Sequence, residues 1–564
     1  MQISNANLAY TLFRLANLME ISGEPGAKVQ AYRTAAQQIL EYPEKLANLT
    51  LTGRALTTIK GVGESIASQL QAMLTDGHMP RYEELKAEVP EGLIELLSIR
   101  GLGAAKVRTL HTALGIAGID DLREALEAGR LREAKGFTPR TEDRIRRSLY
   151  EFSAHRGRTL RALVEPTAMA LVELLEALPG VTRAVPAGSY RRGLETVGTL
   201  DMVVASDSRE EVHRALVAWD FFFGWSDGQP DTMAFLTDSD LHVAVHLVPP
   251  GAFGTELHRR TGSAEYLAAL TEGLDVLEEP LAESEEQYCA ALAIPCLPPE
   301  LRSGVESLNE VRISGMPELI VVGDIRGDLH MHTTHTDGRN TVEEMARFCR
   351  ERGLEYLAIT DHTRNVRVAG GLFPEEIPGY LEAIELANQR VPGITILKGL
   401  EVDILADGSM DMPDEIMAQL DVVIGAIHSH FDQDSEAVTR RVLTAMEHPL
   451  VQFIAHPSGR LVGSRSPLLL DFDRLYSVAE RTGTMFELNA NPERLDLHDQ
   501  HCRRARQLNI PVVINTDAHA VQQLDNLGKG ISQARRGMLA ATDVLNTRPL
   551  PAMLELLQRK RNQQ

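Results

Sequence analysis

Seven short apolar stretches between residues 327 and 519 each end in polar residues, and helical patterns separate them. They read GDLHMH, YLAITDH, ITILKGLEVD, DVVIGAIHSH, VQFIAHP, TMFELNA and PVVINTDAH. Regular alternation of strands and helices favours a parallel sheet with helices on its outside. In a β/α barrel the reactive side chains gather at the C-terminal ends of the strands. The pattern therefore predicts a distorted (β/α)7 barrel over residues 324–564, with a functional site at that end.

The predicted strand ends carry nine histidines and carboxylates: His330, His332, Asp337, His362, Glu401, His428, His456, Asp517 and His519. A single histidine on such a strand is more often a hydrogen-bonded core residue than a ligand. Nine such groups at consecutive strand ends would be costly to bury without a partner, and metal ions pair with such sets. Nitrogen and carboxylate ligands without thiolates suit Zn²⁺, Mn²⁺ or Fe²⁺. The sequence thus predicts two to three divalent metal ions as cofactors.

Three segments in the first 150 residues repeat a helix–turn–helix pattern around glycine: TTIKGVGESIASQL (57–70), LLSIRGLGAAKVRTL (96–110) and LREAKGFTPRTEDRI (131–145). Glycine lets backbone N–H groups at a helix N-terminus approach a phosphate closely. One GxG sequence is usually only a tight turn, but its repetition favours helix-hairpin-helix motifs that hold DNA. The predicted DNA contacts are Gly61, Gly63, Gly101, Gly103 and Lys106. The third copy carries Pro139, which removes one N–H group.

Charge does not exclude DNA as a partner, although the net charge of the 564-residue chain is −22. Residues 1–160 hold 21 Lys/Arg and 19 Asp/Glu, so the acidic excess lies in the rest of the chain. The four cysteines form no CxxC pair and no recognised metal spacing, which suits a reducing cytoplasm. We see no signal peptide and no apolar run long enough for a bilayer, so we expect no membrane partner.

The motifs GDLHMHT, TDH, GLEVDI, HSH, AHPSGR and TDAH resemble the PHP (polymerase and histidinol phosphatase) domain, and all nine of its ligand positions are present. The resemblance implies one ion on His330, His332, Glu401 and Asp517, a second on Asp337, His362 and His519, and a third on Glu401, His428 and His456. Clustered divalent ions activate water for attack on phosphorus. The predicted catalytic residues are the carboxylates Asp337, Glu401 and Asp517, with Arg364, Arg367, Arg460 and Arg465 as candidates to hold phosphates.

The whole chain resembles a bacterial family X DNA polymerase with a C-terminal PHP domain. The palm signature is GSYRRGLETVGTLDMVV (188–204), in which Gly188 and Ser189 would hold a triphosphate. The family carries Asp-x-Asp where this chain has Thr199 and Asp201, and Ala244 stands at the third carboxylate position. Two-metal transfer needs carboxylates on both ions, so we expect polymerase activity to be lost. Ser65 and Gln69 likewise replace the two lysines of the family's lyase chemistry.

The predicted organisation is an N-terminal helical domain (1–82), a fingers-like helical domain (83–158), an α+β nucleotidyltransferase palm with a shortened thumb (159–300), a linker (301–323) and the barrel. The predicted function is a 3′-5′ exonuclease and/or abasic-site endonuclease in DNA repair. A gap-filling polymerase, a small-molecule phosphomonoesterase and a non-catalytic DNA scaffold are the alternatives. Gapped, recessed or abasic DNA is the expected partner, in the cytoplasm and at the bacterial nucleoid; the sequence leaves the oligomeric state open.

Overall fold

The computed structural model describes residues 5–40, 42, 46, 49, 54–97, 99, 101–139, 141, 142, 145, 146, 148, 149, 157–226, 232–237, 241–272 and 279–561. The chain divides into two compact units. The first unit comprises residues 1–158, 209–245 and 463–466, and the second comprises residues 159–208, 246–462 and 467–564.

The first unit is mainly helical in its described part. Its helices span Asn5–Ile21, Gly26–Leu40, Glu64–Asp76, Pro80–Glu88, Glu91–Leu96, Ala104–Leu114, Ile119–Glu127 and Arg209–Ala218. Two turns of 3-10 helix cover Leu56–Thr58 and Arg130–Glu133. The apolar faces of the helices before residue 150 form one buried cluster, which includes Leu12, Leu70 and Leu110. Burial of such continuous apolar faces is what stabilises a small helical domain.

The three glycine turns of this unit share one geometry. Gly61, Gly101 and Gly136 have φ angles of +85°, +95° and +92°, a conformation that glycine adopts without a Cβ penalty. In each copy the residue after the glycine donates its N–H to the carbonyl three residues earlier, at 3.0 to 3.2 Å. The repeated helix-hairpin-helix prediction is therefore confirmed in geometry, and the degenerate third copy keeps the same turn.

Mixed helices and antiparallel strands follow residue 158, as predicted. The strands are β1 (Thr159–Leu160), β2 (Val181–Pro186), β3 (Thr196–Val197), β4 (Thr199–Ser206), β5 (Phe222–Trp225), β6 (Thr232–Thr237) and β7 (His242–Val248). Within the second unit β1 pairs with β3 and β2 pairs with β4; within the first unit β5 pairs with β6, all antiparallel. The helices of this region in the second unit are Arg161–Glu176, Gly188–Arg191, Phe253–Thr261, Ala264–Thr271 and Glu285–Leu292, with 3-10 turns at Pro250–Ala252 and Pro299–Leu301.

The segment predicted as a linker contains a helix. Glu306–Ser314 is helical and buries Leu308 and Val311, which join a cluster with Tyr266 and Leu297. Pro317 lies outside this helix, as do Pro298 and Pro299 before the segment, so no proline interrupts it. Only its composition suggested a linker, and its apolar positions at a spacing of three fit a helix that packs on one face.

Seven parallel strands form the barrel, as the sequence pattern predicts. They are β8 (Gly327–Asp328), β9 (Tyr356–Ile359), β10 (Thr395–Asp403), β11 (Val422–Ala426), β12 (Phe453–Ile454), β13 (Met485–Asn489) and β14 (Val512–Asn515), paired in chain order. A single bridge between Met331 and Ala518 connects the two outer strands just beyond their ends. The barrel is thus nearly closed, and its strands read as continuous apolar runs because both faces are buried.

Helices alternate with these strands and cover them. They span Val342–Glu351, Ile377–Arg390, Asp414–Met417, Ser435–Glu447, Phe472–Thr482, Asp499–Gln507, Leu527–Arg536 and Leu550–Arg561, and 3-10 turns cover Val322–Asp324, Arg367–Ala369, Val521–Asn526, Ala541–Asp543 and Leu545–Thr547. Thr341 and Glu344 form a capping box that fixes the start of the first helix. Met553 and Leu557 of the last helix pack with the strand residues that face the barrel interior. No helix among the described residues is long and apolar enough to cross a membrane.

Candidate metal centre

Inward-facing strand positions become polar where the barrel strands end. Val422, Ile424 and Ala426 of β11 belong to the interior apolar cluster, and His428 continues the same alternation two residues on. Along β10 the alternation from Leu397 reaches Glu401 in the same way. Because successive side chains of a strand point to opposite faces, the period of two carries these polar groups into one space at the C-terminal end of the barrel.

Glu401 lies at the centre of this space and is fully buried. Its Oε1 atom is 2.9 Å from Nε2 of His456, 3.4 Å from Nε2 of His428 and 3.5 Å from Nε2 of His330. Its Oε2 atom is 2.8 Å from Nδ1 of His362. Nε2 of His332 is 3.7 Å from the same Oε2 atom. One carboxylate therefore contacts five histidines from four different strand ends, which is the position of a bridging ligand.

His330, His332 and Asp517 form a buried group beside Glu401. The Nε2 atoms of the two histidines are 3.2 Å apart, and Nε2 of His332 is 3.1 Å from Oδ1 of Asp517. A second group joins His332 to Asp337, His362 and His519, and a third contains His362, Glu401 and His428. With His456 beside Glu401, the structure thus brings all nine predicted residues together, in overlapping groups.

Several buried atoms of these residues have no hydrogen-bond partner. They are Nδ1 of His332, Nδ1 of His362, Nδ1 of His456 and Oε2 of Glu401. Nδ1 of His362 and Oε2 of Glu401 lie close together, but the geometry of this contact does not form a hydrogen bond. An unpaired buried polar atom costs about 1–3 kcal/mol, and ring nitrogens that converge on carboxylate oxygens suit a divalent cation. The residues present therefore fit metal ions.

The electrostatics of the cluster keep Glu401 ionised and His332 neutral. Burial alone would raise the pKa of Glu401, but His428, His330 and His362 around it hold the pKa well below its ordinary value. Burial and the neighbouring His362 lower the pKa of His332 to about 3, so its imidazole is neutral. Metals bind deprotonated carboxylates and neutral imidazoles. Against the effect of burial, the neighbouring carboxylates raise the pKa of His330, His362, His428 and His519, so a metal ion would displace protons from these rings.

Sequence reasoning missed the residues that orient the ligands. Nδ1–H of His330 donates to Oε1 of Glu487 at 2.7 Å, and Nδ1–H of His428 donates to Oδ1 of Asp403 at 3.2 Å. Each bond leaves the other ring nitrogen of its histidine directed at the cluster, as such supporting carboxylates do in metal sites. Glu487 also accepts from the side chain of Asn515 at 2.9 Å. The signal was available, because both carboxylates lie at strand ends within the quoted motifs.

Two residues of this cluster have strained backbone conformations. His456 and Asp517 have φ angles of +29° and +53° although neither is glycine. Residues with side chains rarely adopt positive φ, and such strain is found preferentially at functional sites.

The three arginines predicted as catalytic are not equivalent. Arg364 is exposed and its Nε lies 3.1 Å from Oδ1 of Asp411, and Arg367 is exposed on a 3-10 turn. Arg460 is not available to a phosphate. It is mostly buried and its guanidinium donates to Glu195 of the palm and to the carbonyl of Leu495. The sequence could not indicate this ion pair, because its partners are 265 residues apart.

In the palm, Asp201 is not surrounded by several histidines as Glu401 is in the barrel. Nε2–H of His246 donates to its Oδ1 at 3.1 Å, and a Cβ at Gly188 would lie 2.4 Å from its Oδ2. Gly188 itself has a φ of +59°, so only glycine fits this position beside the carboxylate. Ser189 follows on the short helix Gly188–Arg191, Thr199 begins β4, and Ala244 is buried on β7. No group of three or more metal-binding side chains that includes Asp201 occurs among the described residues.

The hairpin residues are placed where predicted, at helix N-termini. Gly63 and Gly103 are the N-caps of Glu64–Asp76 and Ala104–Leu114, and the amino group of Lys106 donates to the carbonyl of Gly101 at 2.9 Å. Ser65 lies 3.3 Å from the hydroxyl of Tyr32, and Gln69 accepts from the N–H of Arg81 at 3.0 Å. Both replacements of the lyase lysines are thus engaged within the helical unit.

Comparison with known proteins agrees with these features. Residues 3–79 match the helix-hairpin-helix domain family, residues 93–150 match the SAM-like helix-hairpin-helix tandem family, and residues 328–488 match the PHP domain family. The chain is 34% identical to the DNA polymerase/3′-5′ exonuclease PolX of Bacillus subtilis, over 97% of this chain and 98% of that protein. A probable phosphatase of Syntrophotalea carbinolica is 29% identical over 41% of this chain and 95% of its own length. A probable phosphatase of a Thermoanaerobacter species is 24% identical over 39% of this chain and 89% of its own length.

Proposed function

Because this chain belongs to the bacterial PolX family, in which a family X polymerase architecture carries a C-terminal PHP domain, we propose that it is a metal-dependent 3′-5′ exonuclease acting on DNA. Its domains support a DNA-binding nuclease of the PHP type. The observation that carries the proposal is the convergence of nine histidines and carboxylates on Glu401 at the end of the barrel. An abasic-site endonuclease activity of the same site, and a role in DNA repair, belong to the same proposal.

We infer that two to three ions, Zn²⁺ or Mn²⁺ or Fe²⁺, occupy the site. His330, His332 and Asp517 would hold one with Glu401, and Asp337, His362 and His519 would hold another. A third would lie between Glu401, His428 and His456, whose Nε2 atoms are within 3.4 Å of Oε1 of Glu401. When bound, such ions lower the pKa of a coordinated water and offset the negative charge of a phosphodiester.

The protein's own residues would place the DNA strand. Glu487 and Asp403 fix the ring orientations of His330 and His428, so the ligands are rigid before substrate arrives. Arg364 and Arg367 are exposed in the loop that follows His362, and their forked donors suit the phosphates on either side of the cleaved bond. We leave Arg460 out of this set because Glu195 already engages it.

The hairpin turns supply the proposed contact with DNA backbone. A Cβ built at Gly63 or Gly103 meets nothing within 4 Å, and their φ angles of −82° are open to any residue. The fold of the helical unit therefore does not require glycine at these two positions. A partner that must approach the following helix N-terminus closely, such as a phosphate, does require it. Gapped, recessed or abasic DNA, met in the cytoplasm at the nucleoid, is the substrate we propose.

We propose that templated synthesis has been lost. Asp201 alone retains a carboxylate, while Thr199 and Ala244 cannot offset metal charge. Nε2–H of His246 already donates to Asp201. The gap-filling polymerase is the alternative that this proposal has to exclude.

A small-molecule phosphomonoesterase is the second candidate, and one observation favours it. The barrel alone matches probable phosphatases that are little longer than the barrel itself. The helical hairpin domains that precede it favour DNA. Rates on a nucleoside monophosphate, on histidinol phosphate and on an oligonucleotide, measured under the same conditions, separate the two candidates.

The deciding experiment uses one 5′-labelled duplex with a recessed 3′ end and Mn²⁺. Wild type, the double variant His330→Ala/His332→Ala and Asp201→Ala are each incubated with and without deoxynucleotides. We expect wild type and Asp201→Ala to shorten the labelled strand and the double variant to leave it intact. Shortening by the double variant would refute the site, and lengthening that depends on Asp201 would refute the loss of synthesis.

A further inference from the structure

A second group of metal-binding side chains lies in the thumb, well separated in sequence from the barrel ligands. His258 belongs to the helix Phe253–Thr261, Cys289 to the helix Glu285–Leu292, and Cys296 to the loop before the turn Pro299–Leu301. One ligand atom from each of the three residues lies within 4.8 Å of the others. His258 and Cys289 are buried, whereas Cys296 is exposed and gives the group access to solvent.

The imidazole of His258 is oriented as a ligand. Its Nε2 atom is 3.4 Å from the hydroxyl of Tyr266, and its Nδ1 atom is 3.8 Å from Sγ of Cys289. With Nε2–H donating to Tyr266, the lone pair of Nδ1 faces the cysteines, which is how histidine ligands are usually held. Burial, together with the nearby Arg302, lowers the pKa of His258 to about 4, so the ring is neutral.

The distances suit a tetrahedral ion. Zinc lies about 2.3 Å from sulfur and about 2.0 Å from nitrogen, so the two ligand atoms of a tetrahedral site are about 3.6 Å apart. The 3.8 Å between Sγ of Cys289 and Nδ1 of His258 is close to this value. Sulfur and imidazole ligands select zinc over the hard cations magnesium and calcium.

The charges around this group are compatible with a bound zinc ion. The nearly fully buried Arg302 donates to Glu285 and to the carbonyl of Leu297, and Arg191 donates to both oxygens of Glu285 at 2.9 and 2.6 Å. Two guanidinium groups around one carboxylate leave an excess positive charge in this region. The contact with Cys296 and burial nonetheless raise the pKa of the Cys289 thiol, so this thiol would lose its proton only when the ion binds. A divalent ion that displaces two thiol protons to solvent leaves the total charge of this region unchanged.

We propose that His258, Cys289 and Cys296 bind one zinc ion, with a water molecule as the fourth ligand on the side of Cys296. The ion would connect two thumb helices to the loop after them. This is a structural site, independent of the nuclease chemistry of the barrel, and it stabilises the thumb as metal binding stabilises other small domains. The cysteine spacing in sequence gave no indication of it, since the six residues between Cys289 and Cys296 fit no common zinc motif.

Cobalt substitution tests the site in the full-length, reduced protein. Thiolate bound to Co²⁺ gives a near-ultraviolet charge-transfer band, and the nine barrel residues include no cysteine that could contribute to it. We expect the band to saturate at one Co²⁺ per chain and to be competed away by Zn²⁺. It should persist in His330→Ala/His332→Ala and disappear in Cys289→Ser/Cys296→Ser.

Two matched variants keep the test decisive. Cys296→Ser changes an exposed side chain and should weaken the band without unfolding the chain, whereas Cys502→Ser, in the barrel core, should leave the band unchanged. In the His330→Ala/His332→Ala background, the rise in unfolding temperature on addition of Zn²⁺ should be smaller when Cys289 and Cys296 are also replaced, because the remaining barrel ligands can still bind Zn²⁺. Absence of a thiolate band from the reduced wild-type chain, or an equal band in Cys289→Ser/Cys296→Ser, would overturn the proposal.

Discussion

The barrel cluster and the palm site differ in how many residues support each carboxylate. Glu401 is surrounded by five histidines, and the rings of His330 and His428 are in turn held by Glu487 and Asp403. Asp201 in the palm has one histidine beside it and a glycine, Gly188, that leaves room for its carboxylate. It belongs to no group of three metal-binding side chains among the described residues. Both folds persist, so the difference shows that a fold is maintained by its core while its chemistry depends on complete ligand sets.

The largest effect in this comparison is expected from Glu401→Gln. The amide keeps the shape of the side chain but cannot offset the charge of the ions that the surrounding histidines would hold. We expect exonuclease activity to fall to that of the metal-free chain, and metal content measured by mass spectrometry to drop by at least one ion per chain. Glu480→Gln, on the exposed side of a barrel helix, is the matched control. Wild-type activity in Glu401→Gln would show that the barrel cluster is not the active site.

Glu487→Gln should have the next largest effect. Glu487 accepts from His330 at 2.7 Å, from the N–H of His456 at 2.8 Å and from Asn515 at 2.9 Å, but it is not itself one of the nine predicted ligands. Loss of such an orienting carboxylate costs about 10- to 100-fold in metal affinity or activity. A titration with Mn²⁺ should show weaker binding, with activity partly restored at high metal concentration. No shift in the metal titration would mean that Glu487 supports only the fold, and Glu447→Gln on the surface provides the baseline.

The sequence was sufficient for the barrel and for the groups at its strand ends, for physical reasons. Parallel strands produce apolar runs, and ligands such as Glu401 and His428 follow these runs at a period of two. Contacts between residues that are distant in the chain and meet only in the tertiary structure do not follow from the sequence pattern. In the sequence Arg460 resembles any loop arginine, and only the structure shows its ion pair with Glu195. Likewise His258 resembles a core histidine in the sequence, and only the structure places it beside Cys289 and Cys296. The helix Glu306–Ser314 was not predicted because the prolines on either side of it are typical of a linker.

Glu195→Ala tests the ion pair between the palm and the barrel loop that follows His456, and its effect should fall mainly on stability. The substitution leaves the buried guanidinium of Arg460 with its hydrogen bond to the carbonyl of Leu495 and with the charges of Asp496 and Asp499. Removal of one partner of a buried ion pair costs about 3–5 kcal/mol, measurable as a lower free energy of unfolding in urea. We expect exonuclease activity to fall by less than it does in Glu487→Gln.

The control for this prediction is the ion pair between Lys529 and Glu165, which are 3.3 Å apart with 44% of the Glu165 side chain exposed. Exposed pairs contribute about 0–1 kcal/mol, so Glu165→Ala should leave the unfolding free energy almost unchanged. Equal destabilisation by the two substitutions would show that the Arg460 contact is not special. A loss of activity larger than that of Glu487→Gln would instead mean that Arg460 positions His456.

The smallest effect is expected from Asp201→Asn. This variant tests directly whether the palm retains catalytic activity. The resemblance to family X polymerases implies that Thr199 and Ala244 occupy positions where that family uses carboxylates. Asp201 cannot hold two divalent ions alone, since a pair of ions needs carboxylates on both. Exonuclease rates should therefore stay within about twofold of wild type, a change of roughly 0.4 kcal/mol in barrier height.

Primer extension is best measured in the His330→Ala/His332→Ala background, where degradation by the barrel cannot hide slow synthesis. A labelled primer with deoxynucleotides and Mn²⁺ should keep its length whether residue 201 is aspartate or asparagine. Extension that is present with the native aspartate and absent from the Asp201→Asn variant would mean that other side chains complete a working site around the His246–Asp201 pair. In that case the two regions would differ in the identity of their ligands, and both would be catalytic.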